Sequence, residues 1–312
     1  MNGLETLLAG GGISHFIMLL VITSLACVKA TTQSRVCRGH IRNSQDSVLY
    51  NAMFFCAVAV ALSLFFPLAV PNTQIICLAF LHGVLNAAFQ VLYSISLSIG
   101  PVSLTVLIIN FSVLLPTCTS IFVFGESLYF TQLIGVCLLI TSMLLSVNRS
   151  EGEQKTEKKW LILSVLSMLS TGCSGALQKM FYITKSSDIQ NSENTFLVLT
   201  YIFAAVFAFS VYFFTAHTGK KEKSTFWFSG TVLLYAIAIG LIIAVFQKLF
   251  MLGTKHIDGT VFYPSYYGLQ SVSMTFIGVL LFKDHLTARQ KLGSLCGVLS
   301  IALMNLKAGI SF

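Results

Sequence analysis

Long apolar runs separated by short polar breaks make up most of this chain. The runs cover about 12–30, 48–70, 74–98, 101–124, 129–147, 160–182, 195–217, 229–253, 259–282 and 287–306. Each approaches the roughly 20 residues that a helix needs to cross about 30 Å of hydrocarbon. None alternates strictly between apolar and polar residues as a barrel strand does, and lipid satisfies no backbone hydrogen bonds, so the runs predict helices. Breaks as short as Pro71-Asn72 and Gly125-Glu126-Ser127 set neighbouring helices antiparallel and side by side. The longer polar stretches, 31–47, 148–159, 183–194 and 218–226, read as solvated loops.

Composition puts these helices in a bilayer. Hydrophobic residues make up 55% of the 312 and charged residues 10%, against about a quarter charged in a soluble domain. Mean hydropathy is +0.83. The first run has neither a basic leader nor a small-residue cleavage site, so no cleavable signal peptide is expected. The net charge of +8 does not point to nucleic acid, because the basic residues sit in short loops where they set topology. Connections after odd-numbered runs hold thirteen Lys and Arg, and the other side holds Lys185, Lys255 and Lys307. That asymmetry predicts both termini outside the cytoplasm. The eight cysteines form no CxxC pair and read as small core residues.

The polar segment 148–159 divides the runs five and five, and the two sides repeat. Gly83, Ala87, Phe89, Gln90, Leu92 and Tyr93 match Gly240, Ala244, Phe246, Gln247, Leu249 and Phe250 at constant spacing. Phe124, Glu126, Leu128, Gln132 and Gly135 match Phe282, Asp284, Leu286, Gln290 and Gly293. The expected organisation is a first five-helix repeat over 1–147, a linker over 148–159 and a second repeat over 160–312. An odd number of crossings per repeat inverts the second copy. The fold class is therefore an all-α integral membrane protein of ten transmembrane helices in two inverted five-helix repeats. Carriers use this plan, with a site near the midplane where the halves meet.

With these segments in view, the chain resembles the EamA-like, ten-helix branch of the drug/metabolite transporter superfamily. The resemblance rests on IGPVSLTVLIINFSVLLPTCTSIFVFGESLYFTQLIG (99–135) and HIDGTVFYPSYYGLQSVSMTFIGVLLFKDHLTARQKLG (256–293). It implies a transporter rather than an enzyme, a small-molecule solute, and a cell membrane, expected to be the bacterial cytoplasmic one. Members of this size are usually described with both termini inside, opposite to the charge count. The chain departs from the family at Lys283-Asp284, where Gly-Glu is usual, and in a first run without Trp-Gly.

Candidate chemistry is sparse. All eleven carboxylates fall outside the middles of the runs, which disfavours a proton-driven exporter of cationic drugs and makes a facilitator plausible. Lys29, Lys179 and Lys248 lie in or near runs, where snorkelling to the interface competes with facing a cavity. Lys248 follows Gln247 in the repeated motif and, facing a cavity, would attract a carboxylate or phosphate. Asn86, Gln90 and Gln247 can each donate and accept, which suits a neutral or zwitterionic solute or an interhelical bond. Tyr263, Tyr266, Tyr267 and Gln270 share a helix face beside Pro264 and Gly268, a pattern of cavity lining, and Asn110 lies in the matching helix of the first half. These nine side chains form the expected substrate site. Glu126 and Asp284 read as helix-capping groups. Gly293 and Gly297 mark close packing, either in a homodimer face or within one chain. Gly172-Cys173-Ser174-Gly175 imitates an intramembrane protease motif without a partner base. No nucleotide, metal or cofactor fingerprint is present. The expected function is alternating-access transport of a small metabolite, such as an amino acid or a related zwitterion or anion. A nucleotide-sugar or sugar-phosphate carrier and a non-transporting receptor are the alternatives.

Overall fold

The computed structural model describes residues 12–39, 44–99, 105, 108–146, 158–183, 189–218, 230–282 and 287–304. Ten α-helices lie within them: α1 (Gly12–Gly39), α2 (Ser44–Phe65), α3 (Thr73–Ile99), α4 (Leu114–Phe122), α5 (Phe130–Ser146), α6 (Lys158–Met180), α7 (Ile189–Thr218), α8 (Gly230–His256), α9 (Gly259–Phe282) and α10 (Ala288–Met304). No β-strand occurs among the described residues. Six helices, α1–α3 and α6–α8, are long and apolar enough to cross a membrane. Together they make this a multi-pass membrane protein. Leu64, Phe214 and Leu234 are 75%, 73% and 68% exposed; such faces are at home only against lipid.

The helices alternate in direction, so the connections α2–α3, α4–α5, α6–α7 and α8–α9 share one end of the bundle, called here the even end. The other connections lie at the odd end. In the packing, α2 runs along α7 and α5 along α10. Helix α3 lies on α6 and α7, α8 on α1 and α2, α4 on α6, and α9 on α1, α4 and α10. One core joins α2, α3, α7 and α8, and a second joins α1, α8 and α9. Glycines permit the closest approaches. A Cβ on Gly83 would lie 2.5 Å from the Thr200 carbonyl of α7, and one on Gly240 would lie 2.6 Å from Ala57 Cβ of α2. Gly293 and Gly297 are filled within the chain. The Gly293 carbonyl accepts from Ser142 Oγ at 2.7 Å, and Gly297 faces Val272 and Ser142. That glycine stripe is an internal seam between α5, α9 and α10.

The ends of several helices differ from the apolar runs, for local physical reasons. The second run was expected to reach residue 70, yet α2 stops at Phe65, ahead of Pro67, which has no N–H to continue the ladder. Asn72 then caps α3, its Oδ1 accepting from Ile75 N–H at 2.8 Å. Among the described residues of the fourth run, a 3-10 turn, Phe111–Val113, precedes the short α4. Pro116 leaves the Ser112 carbonyl without its helical donor, and Gly172 of α6 packs beside that carbonyl. The seventh helix begins at Ile189 and takes Glu193 and Asn194, expected in a loop, into its first turns. The xxQxxG motif has a mechanical role at α5, where Gln132 Oε1 accepts from Tyr129 N–H at 2.9 Å. At α10, Gln290 Oε1 accepts from Thr287 N–H at 3.0 Å. Both are side chains reaching back to cap a helix start.

Candidate functional site

The expected site residues lie on α3, α8, α9 and the segment ahead of α4, and they divide into two groups. The first group is held by the protein itself. Gln247 accepts from Gln178 Nε2 at 2.8 Å and donates to Tyr201 Oη at 2.6 Å, tying α6, α7 and α8 together. Asn86 donates back to the His82 carbonyl at 3.0 Å, and Gln90 is buried. Tyr263 donates to the Gly175 carbonyl at 2.9 Å. Tyr266 packs edge-on to Phe250 at 5.1 Å.

Lys248 also belongs to this group. Its Nζ lies 2.5 Å from Glu193 Oε1 and 2.7 Å from Asn194 Oδ1, and the Lys248 and Glu193 side chains are 5% and 2% exposed. Tyr182 Oη, 2.9 Å from Glu193 Oε2 and from the Met251 carbonyl, completes the cluster. The ring of Phe66 lies 5.8 Å from the ammonium. The expectation of an ammonium free to attract an anion meets a neutralised pair. The reason is the early start of α7, which brings a carboxylate into the membrane beside it.

The second group is less completely buried. Tyr267 is partly exposed, its Oη 3.5 Å from Ser112 Oγ of the α4 segment. Gln270 and Asn110 are partly exposed as well. One turn beyond Gln270 on the same face of α9, Ser273 lines a cavity of about 520 Å³ with Phe276, Ile277 and, from α1, Ser24, Cys27, Val28, Thr31 and Thr32. The walls offer hydroxyls, a thiol and apolar carbons, with no charged side chain. Volumes of a few hundred Å³ suit small-molecule sites.

A second ionic centre was not anticipated. Lys179, expected to snorkel, pairs with Glu126 and lies 5.1 Å from the Phe124 ring. Glu126 Oε2 also accepts from Thr260 N–H at 3.1 Å, so it caps α9 and not the following α5. Gly125, with φ +65°, turns the chain so that Glu126 N–H bonds the Ser120 carbonyl at 3.1 Å. Its counterpart by repeat, Asp284, lies outside the described residues, as does most of the 148–159 linker. Glu193 could have been found from sequence. A lysine inside a span needs a named partner, and the polar turn 191–194 abuts the seventh run. Ser174 of the protease-like motif is buried, and its flanking glycines pack on Leu115 and Pro116. Among the described residues no group of three or more His, Cys, Asp or Glu could hold a metal ion.

Residues 15–148 match the EamA-like transporter family, part of the drug/metabolite transporter superfamily. No curated protein matches the chain. Among 28 matching chains of known structure, one crystal structure is 14% identical and superposes with a TM-score of 0.68. The superposition covers 94% of this chain and 96% of that one. At that identity the likeness shows a shared fold and nothing of the solute.

Proposed function

Starting from a multi-pass membrane protein whose residues 15–148 match the EamA-like transporters, we propose that the chain is a secondary carrier for a small neutral or zwitterionic metabolite, such as an amino acid. Two inverted five-helix repeats would enclose a site between α1, α3, α4, α6, α8 and α9 and expose it alternately to either face. The packing supports the repeat. Exchanging each helix with the one five places on turns α3-on-α7 into α8-on-α2, α3-on-α6 into α8-on-α1, and α4-on-α6 into α9-on-α1, and all of these pairs occur. Gly83 and Gly240, matched in sequence, make matched close approaches. Gln132 and Gln290 cap matched helices.

The observation that carries the choice of solute is the wall itself. The hydroxyls of Ser24, Thr31, Thr32 and Ser273 line it and supply dipoles without net charge, and the partly exposed Gln270 and Tyr267 lie further back along α9. Such groups orient an uncharged or internally balanced solute through hydrogen bonds. The Lys/Arg count places the termini outside the cytoplasm and the odd end inside. A panel of amino acids, carboxylates, sugar phosphates, nucleotide sugars and cationic dyes, tested by thermal unfolding of the purified protein, checks this reading. Native-state ligands raise apparent stability. Stabilisation by amino acids or other zwitterions that is lost in Gln270→Ala is the expected result. Stabilisation confined to sugar phosphates or nucleotide sugars would transfer the chain to another substrate class.

A further inference from the structure

Matched helix pairs differ in one place. Helices α1 and α9 are parallel neighbours and match α6 and α4. Near the even end both pairs are packed. Met18, Leu19 and Ile22 of α1 meet Phe262, Tyr263 and Tyr266 of α9, and Gly172 and Gly175 of α6 lie against Leu115 and Pro116 of α4. Toward the odd end the second halves of α1 and α9 part to line an open groove of about 520 Å³. Among the described residues, the two helices are therefore packed toward the even end and separated beyond it.

The seal at the even end has a specific construction. Glu126 links three elements at once: its own α4–α5 turn, Lys179 at the end of α6, and the first N–H groups of α9. Gly259 admits the tight contact, since a Cβ there would collide with Ser120 Oγ and lie 2.8 Å from Lys179 Nζ. The pair is largely desolvated, at 9% and 15% exposure, and in that setting charge attraction and the helix dipole act at close to full strength. The seal is also incompletely satisfied, because Ser120 Oγ and Thr260 Oγ1 are buried beside it without a hydrogen-bond partner. Pro264, one turn into α9, removes a backbone bond and supplies a bending point between the pinned first turn and the cavity-lining half.

We propose that Glu126, Lys179 and the start of α9 form the latch that closes the even end of the carrier. This rests on the carrier reading. Releasing Glu126 would free α9 to swing from α4 and α6 while its far half closes on α1.

Site-specific thiol labelling tests the latch without a known solute. In a cysteine-free background reconstituted in vesicles of defined orientation, Thr31→Cys reports the odd end and the buried Ser174→Cys the even end. With the latch intact, a membrane-impermeant maleimide should label Thr31→Cys from the odd face only and spare Ser174→Cys from both faces. With Glu126→Gln, Ser174→Cys labelling from the even face should rise at least about tenfold, a shift of about 1.4 kcal/mol in the equilibrium, and Thr31→Cys labelling should fall. The double variant Glu126→Gln with Lys179→Met buries no unpaired charge and must open the same end. Unchanged labelling in that folded double variant overturns the latch and leaves the carrier reading intact. Opening of the even end with no closure of the odd end supports the latch and refutes alternating access. As a further control, Pro116→Cys with Gly175→Cys should form a disulfide, since the Gly175 Cβ position is 3.5 Å from Pro116 Cβ. Oxidation should then block the Ser174→Cys labelling that Glu126→Gln permits, and reduction should restore it; labelling that persists in the oxidised protein would overturn the proposal.

Discussion

Lys248→Met separates a strut from a ligand contact. Methionine keeps the length and apolar stem against Phe66 and removes only the charge. Glu193 would then be a carboxylate with a 2% exposed side chain, holding the Tyr182 hydroxyl but no cation. Breaking a buried pair from one side costs about 3–5 kcal/mol. Lys248→Met should therefore lose about 3–5 kcal/mol of stability. Adding Glu193→Gln to Lys248→Met should recover most of the loss, since no buried charge remains. Unfolding in detergent micelles, analysed as a double-mutant cycle, gives each quantity. A Lys248→Met protein that unfolds like the parent but no longer responds to an anionic metabolite would refute the reasoning and return Lys248 to the solute site.

Gly83→Ala and Gly240→Ala should each cost about 1–3 kcal/mol by overpacking, read by the same unfolding assay; a neutral result at both would contradict the backbone approaches of α3 to α7 and of α8 to α2. Thr105→Val leaves the buried Trp160 indole N–H, now 2.8 Å from Thr105 Oγ1, without its acceptor and should destabilise by about 1–3 kcal/mol; tryptophan emission should report the change. Tyr267→Phe removes the hydroxyl that lies 3.5 Å from Ser112 Oγ; it should cost about 0.5–1.5 kcal/mol and weaken ligand-induced stabilisation, and equal stabilisation of parent and variant would remove the hydroxyl from the proposed site.

The order of the helices was legible because each apolar run holds one of the ten described helices, six of them long and apolar enough to cross a membrane. The proposed repeat draws on positions that make like contacts in each half: Gly83 and Gly240 at close approaches, Gln132 and Gln290 at helix starts. The partners of the charges were not legible. Whether Glu193 belongs to a loop or a helix depends on where α7 begins, and that is decided by bonds formed only after folding. Asn194 Nδ2 donates to the Pro67 carbonyl at 2.9 Å, and Thr195 bridges both backbone groups of Ala69 at 2.9 Å. The same holds for Glu126. Its position before α5 suggested a cap on that helix, but the turn at Gly125 directs it to α9, distant in sequence.

These pairings change what the site can recognise. Three lysines enter the membrane region, and read separately each could draw an anion. Lys179 and Lys248 are neutralised at the even end by carboxylates that close approach makes strong competitors for any solute. Lys29 has no ion pair with a described residue and sits at the odd end, within the α1 turn that contributes Val28, Thr31 and Thr32 to the cavity. In the proposed carrier, a cation at the mouth and dipoles deeper in would give a path that tolerates a carboxylate on entry but offers it no buried counter-charge at the centre. An α-amino acid fits that sequence of environments, because its own ammonium balances the carboxylate once water is left behind. A doubly charged phosphate would reach the tyrosine and amide wall carrying a desolvation cost that no described residue there offsets.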